Sequence, residues 1–461
     1  MVRHLQRKKF AASSESLTHP GMRPLFDPPS EEPPAEDEKP EETEVKAHTR
    51  KVKRRPLPED LPREDVHCDL PEKDKVCSGC RQPMEKTHEK SSEKLHVKPA
   101  EFIVKRYITP VYCCKKCETI RQAKMPPHPL PGCGVTPETL AHISVTKFID
   151  GMPLNRIEKM FSRHGVEITR DQMARWMTNL GPLILPLKAL LHTDLLRNGR
   201  LAMDETGLQV LKEKNRRPDQ KSFMLVQARE GPPGKNIVVF HYEKSRAAHI
   251  IGGYLKGFEG ALITDGLAVY GSHCRNTNIV HGGCWAHARR PFADAVKGKK
   301  KRSKIAKDML ELIRELFRIE KELKGKPQDQ ILRVRREKSA PVVEKIRELW
   351  LDRIDQIPAK SLTGKGLHYL KNQWDQLTAF LDEPRLPIDN NYVERQVKHL
   401  ATGRKSWLFC DTVAGAEAAA AFFTLLVTAK ENGLNPYDWL CGALTRLPAG
   451  ADPADLLPFR Q

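Results

Sequence analysis

RLAMDETGLQVL (residues 200–211), KSFMLVQARE (221–230) and NIVVFHYE (236–243) are three short β-like runs, separated by the turn-forming stretches RRPDQ and GPPGKN. An amphipathic helix follows, with Ala247, Ile250, Ile251, Tyr254 and Leu255 on one face, and then the buried-looking strand ALITD at 261–265. Three strands, a helix and a fourth strand predict a mixed α/β domain.

Downstream, residues 292 to about 380 read as an inserted helical region. Ile305, Met309, Leu312, Leu316, Ile319 and Leu323 fall at near-heptad spacing, and Pro341 interrupts a later segment. An alanine-rich helix around Glu417 to Glu431 and a Pro-rich tail close the chain, within a C-terminal helical segment at 411–461. Upstream, residues 135–199 look helical. Ile157, Met160, Phe161 and His164 form one apolar stripe, Gly165 stops that helix and Thr169 can cap a second. The second stripe, Met173, Trp176, Met177 and Leu180, is expected to end at Gly181-Pro182, so the pair reads as helix-turn-helix-like. Arg170, Gln172 and Arg175 lie off the stripe and can enter a major groove; a plain helical bundle explains the pattern equally well.

Residues 1–66 are rich in Pro and charge, with an acidic block from Glu31 to Glu44 and a basic one from Lys51 to Arg55. Such a stretch has too little apolar surface to offset its ordering entropy, and we expect a disordered arm. Over the whole chain, 78 Lys plus Arg stand against 59 Asp plus Glu, a net charge of +19, which points to a polyanionic partner. At 461 residues a single small module is excluded. No secretory signal is visible in MVRHLQRKKFAASS, and the apolar run Ala418 to Ala429 falls short of the roughly 20 residues that span a bilayer. The expectation is a cytoplasmic protein with no membrane partner.

Eleven cysteines, an odd number unevenly spread through a long charged chain and crowded together from Cys68 to Cys133, fit metal-bound or free thiols better than a secreted disulfide framework. Cys77-Ser-Gly-Cys80 and Cys114-Lys-Lys-Cys117 are two C-x2-C pairs, and four thiolates suit Zn²⁺. Binding worth roughly 10 to 16 kcal/mol can fold a coreless module, here expected at 67–134 as a zinc ribbon. Cys113 can replace Cys114 as the ligand.

Asp204 and Asp265 each end an apolar run, and carboxylates at the ends of two hydrophobic strands can converge at one sheet edge to hold Mg²⁺. Glu205 would point to the opposite face. Ordinary turn residues are the bland alternative for both aspartates. A third carboxylate stands in Asp389-Asn-Asn-Tyr-Val-Glu394-Arg395, where Asn391 can cap a helix and Glu394 can simply bond back to the backbone or pair with Lys398. The basic run Arg395, Lys398, His399, Arg404 and Lys405, interleaved with Trp407 and Phe409, adds phosphate-binding capacity.

The combination of AMDET at 202–206, ITDG at 263–266, GCWAHARRPF at 283–292, and DNNYVER followed by GRKSWLF at 403–409 resembles the insertion-sequence-66 family of bacterial DDE transposases. The likeness runs from about residue 57 to 458. It implies an RNase H-like catalytic domain at 200–410 in which Asp204, Asp265 and Glu394 form a DDE triad holding two Mg²⁺ ions, with Mn²⁺ as an alternative. The 128 residues between the second and third carboxylates would hold the helical insertion. Cys284-Trp-Ala-His287 is similar to a C-x2-H signature that follows the second Asp in many DDE enzymes; a lone pair of this kind is more often a packing feature than a metal site. The family usually begins with a longer leucine-zipper-like segment, of which only RKKFAASSESL is visible here. Leu267 stands where the family often has an aromatic, and Lys398-His399 replaces a common Arg-Pro pair.

The function implied is cleavage of double-stranded DNA at the ends of a mobile element and strand transfer into target DNA, by a homo-oligomer, with accessory proteins of the same element as further candidate partners. A transposase-derived DNA-binding regulator that no longer cuts is the alternative, and a nuclease that hydrolyses without joining is a third.

Overall fold

The computed structural model describes residues 81–82, 101–113, 115–118, 120–197, 199–275, 277–297 and 303–459. The expected arm at 1–66 and the ligands Cys77, Cys80 and Cys114 lie outside them, as do residues 298–302. The described residues 81–82 and 101–108 fall in one unit, and the described chain from Thr109 onward belongs to another.

In this larger unit a hairpin comes first: β1 (Val111–Cys113) pairs antiparallel with β2 (Ile120–Gln122), and Cys117 sits exposed in the connection between them. The helical layer then begins with α1 (Pro137–Phe148), capped by Thr136, and α2 (Leu154–Ser162). Gly165, at φ +73°, turns the chain in the left-handed region, and Thr169 opens α3 (Arg170–Leu196) with a capping box to Gln172.

The predicted stop at Gly181-Pro182 is overturned. α3 runs 27 residues straight through Pro182 and Pro186. Both prolines face solvent, while Leu180, Ile184, Leu187, Leu191 and Leu195 continue the apolar stripe into the core. Tertiary burial thus outweighs the roughly 3 kcal/mol that each interior proline costs a helix. Gly181 is not a terminator: a Cβ there would stand 3.2 Å from that of Ala418, so glycine lets a second helix approach closely.

The central sheet has the order β5-β4-β3-β6-β7. β3 (Arg200–Lys212), β4 (Lys221–Arg229) and β5 (Ile237–Glu243) form an antiparallel meander. β6 (Gly260–Thr264) joins β3 in parallel after the crossover helix α4 (Ala248–Tyr254), and β7 (Ile279–Gly283) joins β6 in parallel after α5 (Ala268–Cys274). The mixed α/β expectation holds, with β7 added to the four strands that the sequence pattern predicts.

Between β7 and the last sheet-associated elements the described chain is mainly helical. It comprises α6 (Trp285–Lys297), α7 (Lys304–Leu323), α8 (Gln328–Val334), α9 (Ala340–Arg353) and α10 (Leu362–Thr378). On α7 the buried stripe is Ala306, Met309, Ile313, Leu316, Ile319 and Leu323; Ile305 and Leu312 lie at its margin, half-buried, with Leu312 packed against the core. Pro341 does not break the chain direction; a π-helical turn at Arg335–Ser339 leads into α9, where Pro341 takes a first-turn position that needs no N–H partner.

α11 (Asn391–Trp407) and β8 (Cys410–Thr412), which pairs in parallel with the far end of β3, lead into α12 (Val413–Glu431) and α13 (Pro436–Arg446). The buried run Ala418–Ala429 explains why α12 is apolar all round. α12 is longer than that run, and it is the one described helix with the length and composition to cross a membrane; most of it is buried in the core of this fold. It also covers the edge of the sheet. Thr424 Oγ1 accepts from Phe240 N at 2.9 Å, while Thr428 Oγ1 accepts from Val238 N at 3.2 Å and lies 3.0 Å from Val238 O. Two threonines thereby satisfy backbone groups that an edge strand leaves without partners. Thr424→Val keeps the shape and orphans the Phe240 amide, so we expect a loss of about 1–3 kcal/mol in chemical denaturation.

Candidate functional site

Asp204 does not end its strand, as expected from the apolar run before it. It lies inside β3, opposite Val226 of β4, because β4 and then β8 keep pairing β3 well beyond it. The strand that stops is β6. Ala202 pairs with Ile263, so two residues further along each chain Asp204 and Asp265 lie side by side where β6 has just ended. Asp265 Oδ1 accepts from Leu267 N at 3.0 Å, which turns the chain away. Helix α10 of the insertion packs over this turn: Gln373 Nε2 donates to Gly266 O, and the Tyr369 ring leaves no room for a Cβ at Gly266.

Glu394 arrives on the first turn of α11. Asn391 is the first helical residue rather than the cap; Asn390 holds the cap position without a side-chain bond to the helix, and Asp389 accepts from Asn391 N and Nδ2. Glu394 therefore is no capping-box acid, and its Oε1 is buried without a hydrogen-bond partner. Asn390 Nδ2 donates to Met203 O at 2.9 Å, which ties the start of α11 to β3 immediately before Asp204.

The three carboxylates so assembled act on one another. Asp204 is pushed up to about 8, chiefly by burial, with Glu205, Asp265 and Glu394 adding like-charge repulsion and the Glu205 amide opposing. Glu205 itself is a structural acid: buried, it accepts from Arg246 at 2.8 Å and from the Tyr270 hydroxyl at 2.7 Å.

Cys284 and His287 reach the same place. Trp285 N donates to Ile388 O, and Asn390 N donates to Cys284 Sγ at 3.3 Å. His287 Nδ1 lies 3.4 Å from Glu394 Oε1. The C-x2-H pair thus has a third group beside it that linear spacing could not reveal. Tyr369 and Arg335 were also missed. Both sit in the helical insertion, and nothing in the local pattern distinguishes them from packing residues.

Of the basic candidates, Arg395 and Lys405 are exposed on α11, Lys398 and Arg404 are partly covered, and Arg395 stacks on the Tyr392 ring. Arg170 and Arg175 are exposed on the first two turns of α3, away from the carboxylates in sequence and on a different element.

Three carboxylates thus gather on a mixed sheet, with the basic helix α11 beside them. The chain belongs to the IS66 transposase family, whose model matches residues 132–418. Further matches are to the zinc-finger binding domain of transposase IS66 at 74–118, which includes all four candidate zinc cysteines, and to the IS66 C-terminal element at 424–458. A fourth, described as transposase C of IS166 homeodomain, covers residues 1–66. More of the family's N-terminal segment is therefore present than RKKFAASSESL alone suggested. Among similar proteins are the uncharacterized proteins y4qI and y4jD of Sinorhizobium fredii (strain NBRC 101917 / NGR234). They are 33% and 32% identical over 82% and 86% of this chain, and over 72% and 78% of their own lengths.

Proposed function

We propose that the protein is a DDE transposase with an RNase H-like catalytic domain, which cuts double-stranded DNA at mobile-element ends and joins the freed 3′-hydroxyl to target DNA. The observation that carries this reading is the convergence of Asp204, Asp265 and Glu394 from β3, β6 and α11. An antiparallel three-strand meander extended by two parallel strands supports the RNase H-like assignment.

The donor set suits Mg²⁺, with Mn²⁺ as a substitute: it offers carboxylate oxygens gathered where β6 ends beside β3, and the repulsion among them is what a cation would relieve. Asp204 would be shared, with Asp265 and Glu394 each completing one of two sites. Bound there, a pair of such ions activates the attacking oxygen and stabilises the leaving one. The chain's own work is positional. β3 and β6 hold two carboxylates in register, Asn390 anchors the third, and α10 closes over the Asp265 turn.

Arg395, Lys398, Arg404 and Lys405 would track the DNA backbone near the site, and Arg170 and Arg175 would contact DNA from α3. Replacing Arg404 and Lys405 together by Ala is expected to weaken DNA binding for all sequences and to lower the salt slope by about 1 to 2, as measured by fluorescence anisotropy at several salt concentrations. Zn²⁺ would occupy the four-cysteine module, and the active form would be a cytoplasmic homo-oligomer on DNA, with accessory proteins of the element as further partners.

A Mg²⁺-dependent strand-transfer assay on element-end DNA tests the proposal. Joined product is expected; cutting without joining would leave a nuclease, and binding without cutting a regulator.

A further inference from the structure

We infer that Cys284, His287 and Glu394 form a second site for a borderline-soft divalent cation of the zinc class, beyond the strand-transfer reading and adjoining its carboxylate cluster through Glu394. One sulfur, one imidazole nitrogen and one carboxylate oxygen lie within 4.8 Å of one another, on residues that are buried or nearly so. Three such protein ligands with a fourth position open is a common arrangement for Zn²⁺.

The local geometry favours the ion on several counts. Cys284 precedes α6 and His287 lies three residues on, so both fall on one side of the first helical turn. Glu394 comes from the first turn of α11, so the site joins two helix starts 107 positions apart in the chain. The His287 Nδ1 to Glu394 Oε1 separation of 3.4 Å matches an edge of a tetrahedron with bonds of about 2.0–2.3 Å. The sulfur has to draw in by no more than about 1 Å to complete such a set. Apart from their own 3.4 Å approach, His287 Nδ1 and Glu394 Oε1 are buried with no hydrogen-bond partner, a pairing that an ion between them would complete. Cys284 Sγ already accepts from the Asn390 amide, the kind of outer hydrogen bond that orients a metal-bound sulfur. Sulfur and imidazole select against Mg²⁺. Ligation through Oε1 leaves the other oxygen of Glu394 for the carboxylate cluster, so the two sites can share that residue.

Metal analysis of the purified full-length protein after dialysis tests this without any activity readout. We expect about two equivalents of Zn²⁺ per chain, one in the four-cysteine module and one here. His287→Asn, at a partly exposed position, should keep the circular dichroism spectrum and lose about one equivalent. Cys77→Ser with Cys80→Ser should lose the module's ion and retain about one. Full retention of metal in His287→Asn, or none left in the double serine variant, would overturn the assignment. Absence of strand transfer would overturn the DDE reading and leave this result untouched.

Discussion

Asp204→Asn is expected to abolish DNA cleavage, by at least about 10³-fold, while leaving binding to element ends within a few fold. A metal-assisted phosphoryl displacement draws several kcal/mol of transition-state stabilisation from its ions, and each 1.4 kcal/mol lost is about tenfold in rate. Asparagine keeps the shape of the side chain and its place in β3 but removes the charge on the proposed shared ligand. Cleavage and gel-shift assays on the same DNA separate the two effects, and wild-type cutting by the variant would refute the assignment of Asp204. The same substitution has a second signature. Burial first, then neighbouring carboxylates, hold Asp204 near 8, above its unfolded value. Its contribution to stability is therefore complete below the unfolded carboxyl range, and is lost as pH rises through about 8 at up to about 1.4 kcal/mol per unit. Without divalent cation, Asp204→Asn should flatten the decline in melting temperature between pH 5 and 8.

Arg335→Met should destabilise the fold by about 3–5 kcal/mol, the usual result of removing one partner from a buried ion pair. Arg335 is 3% exposed and forms a two-point pair with Glu320, at 2.8 and 2.6 Å. It also donates to the carbonyls of Phe380, Glu383 and Leu386. Those carbonyls belong to the segment that leads to Asp389 and α11. The insertion thus braces the chain that delivers Glu394. Equilibrium urea unfolding measures the loss, and a change below about 1 kcal/mol would mean the network is not holding that segment. Arg335→Lys should recover little, since an ammonium cannot reproduce the planar fork that meets both Glu320 oxygens.

Local signals were legible where they act over one or two turns. Gly165 and Thr169 punctuate α2 and α3 as their residue types predict, and the alternation in residues 200–243 yields the meander. The misreading at Gly181-Pro182 has a definite cause: a proline pair terminates an isolated helix, whereas here α12 packs along the stripe on both sides of it. Glu394 could be noticed in the sequence but not separated from a capping acid, because that distinction depends on whether its oxygen meets the helix backbone or His287.

The order of elements, the four cysteines in two knuckle pairs and the identity of three acids as candidates are properties of residue type and short spacing, and the chain alone determined them. Which acids meet, which histidine stands against them and which helix seals the edge of β5 are settled between residues about 100 to 190 positions apart. Contacts of that span leave no periodic trace in the chain, because they exist only after β3, β6 and α11 have packed.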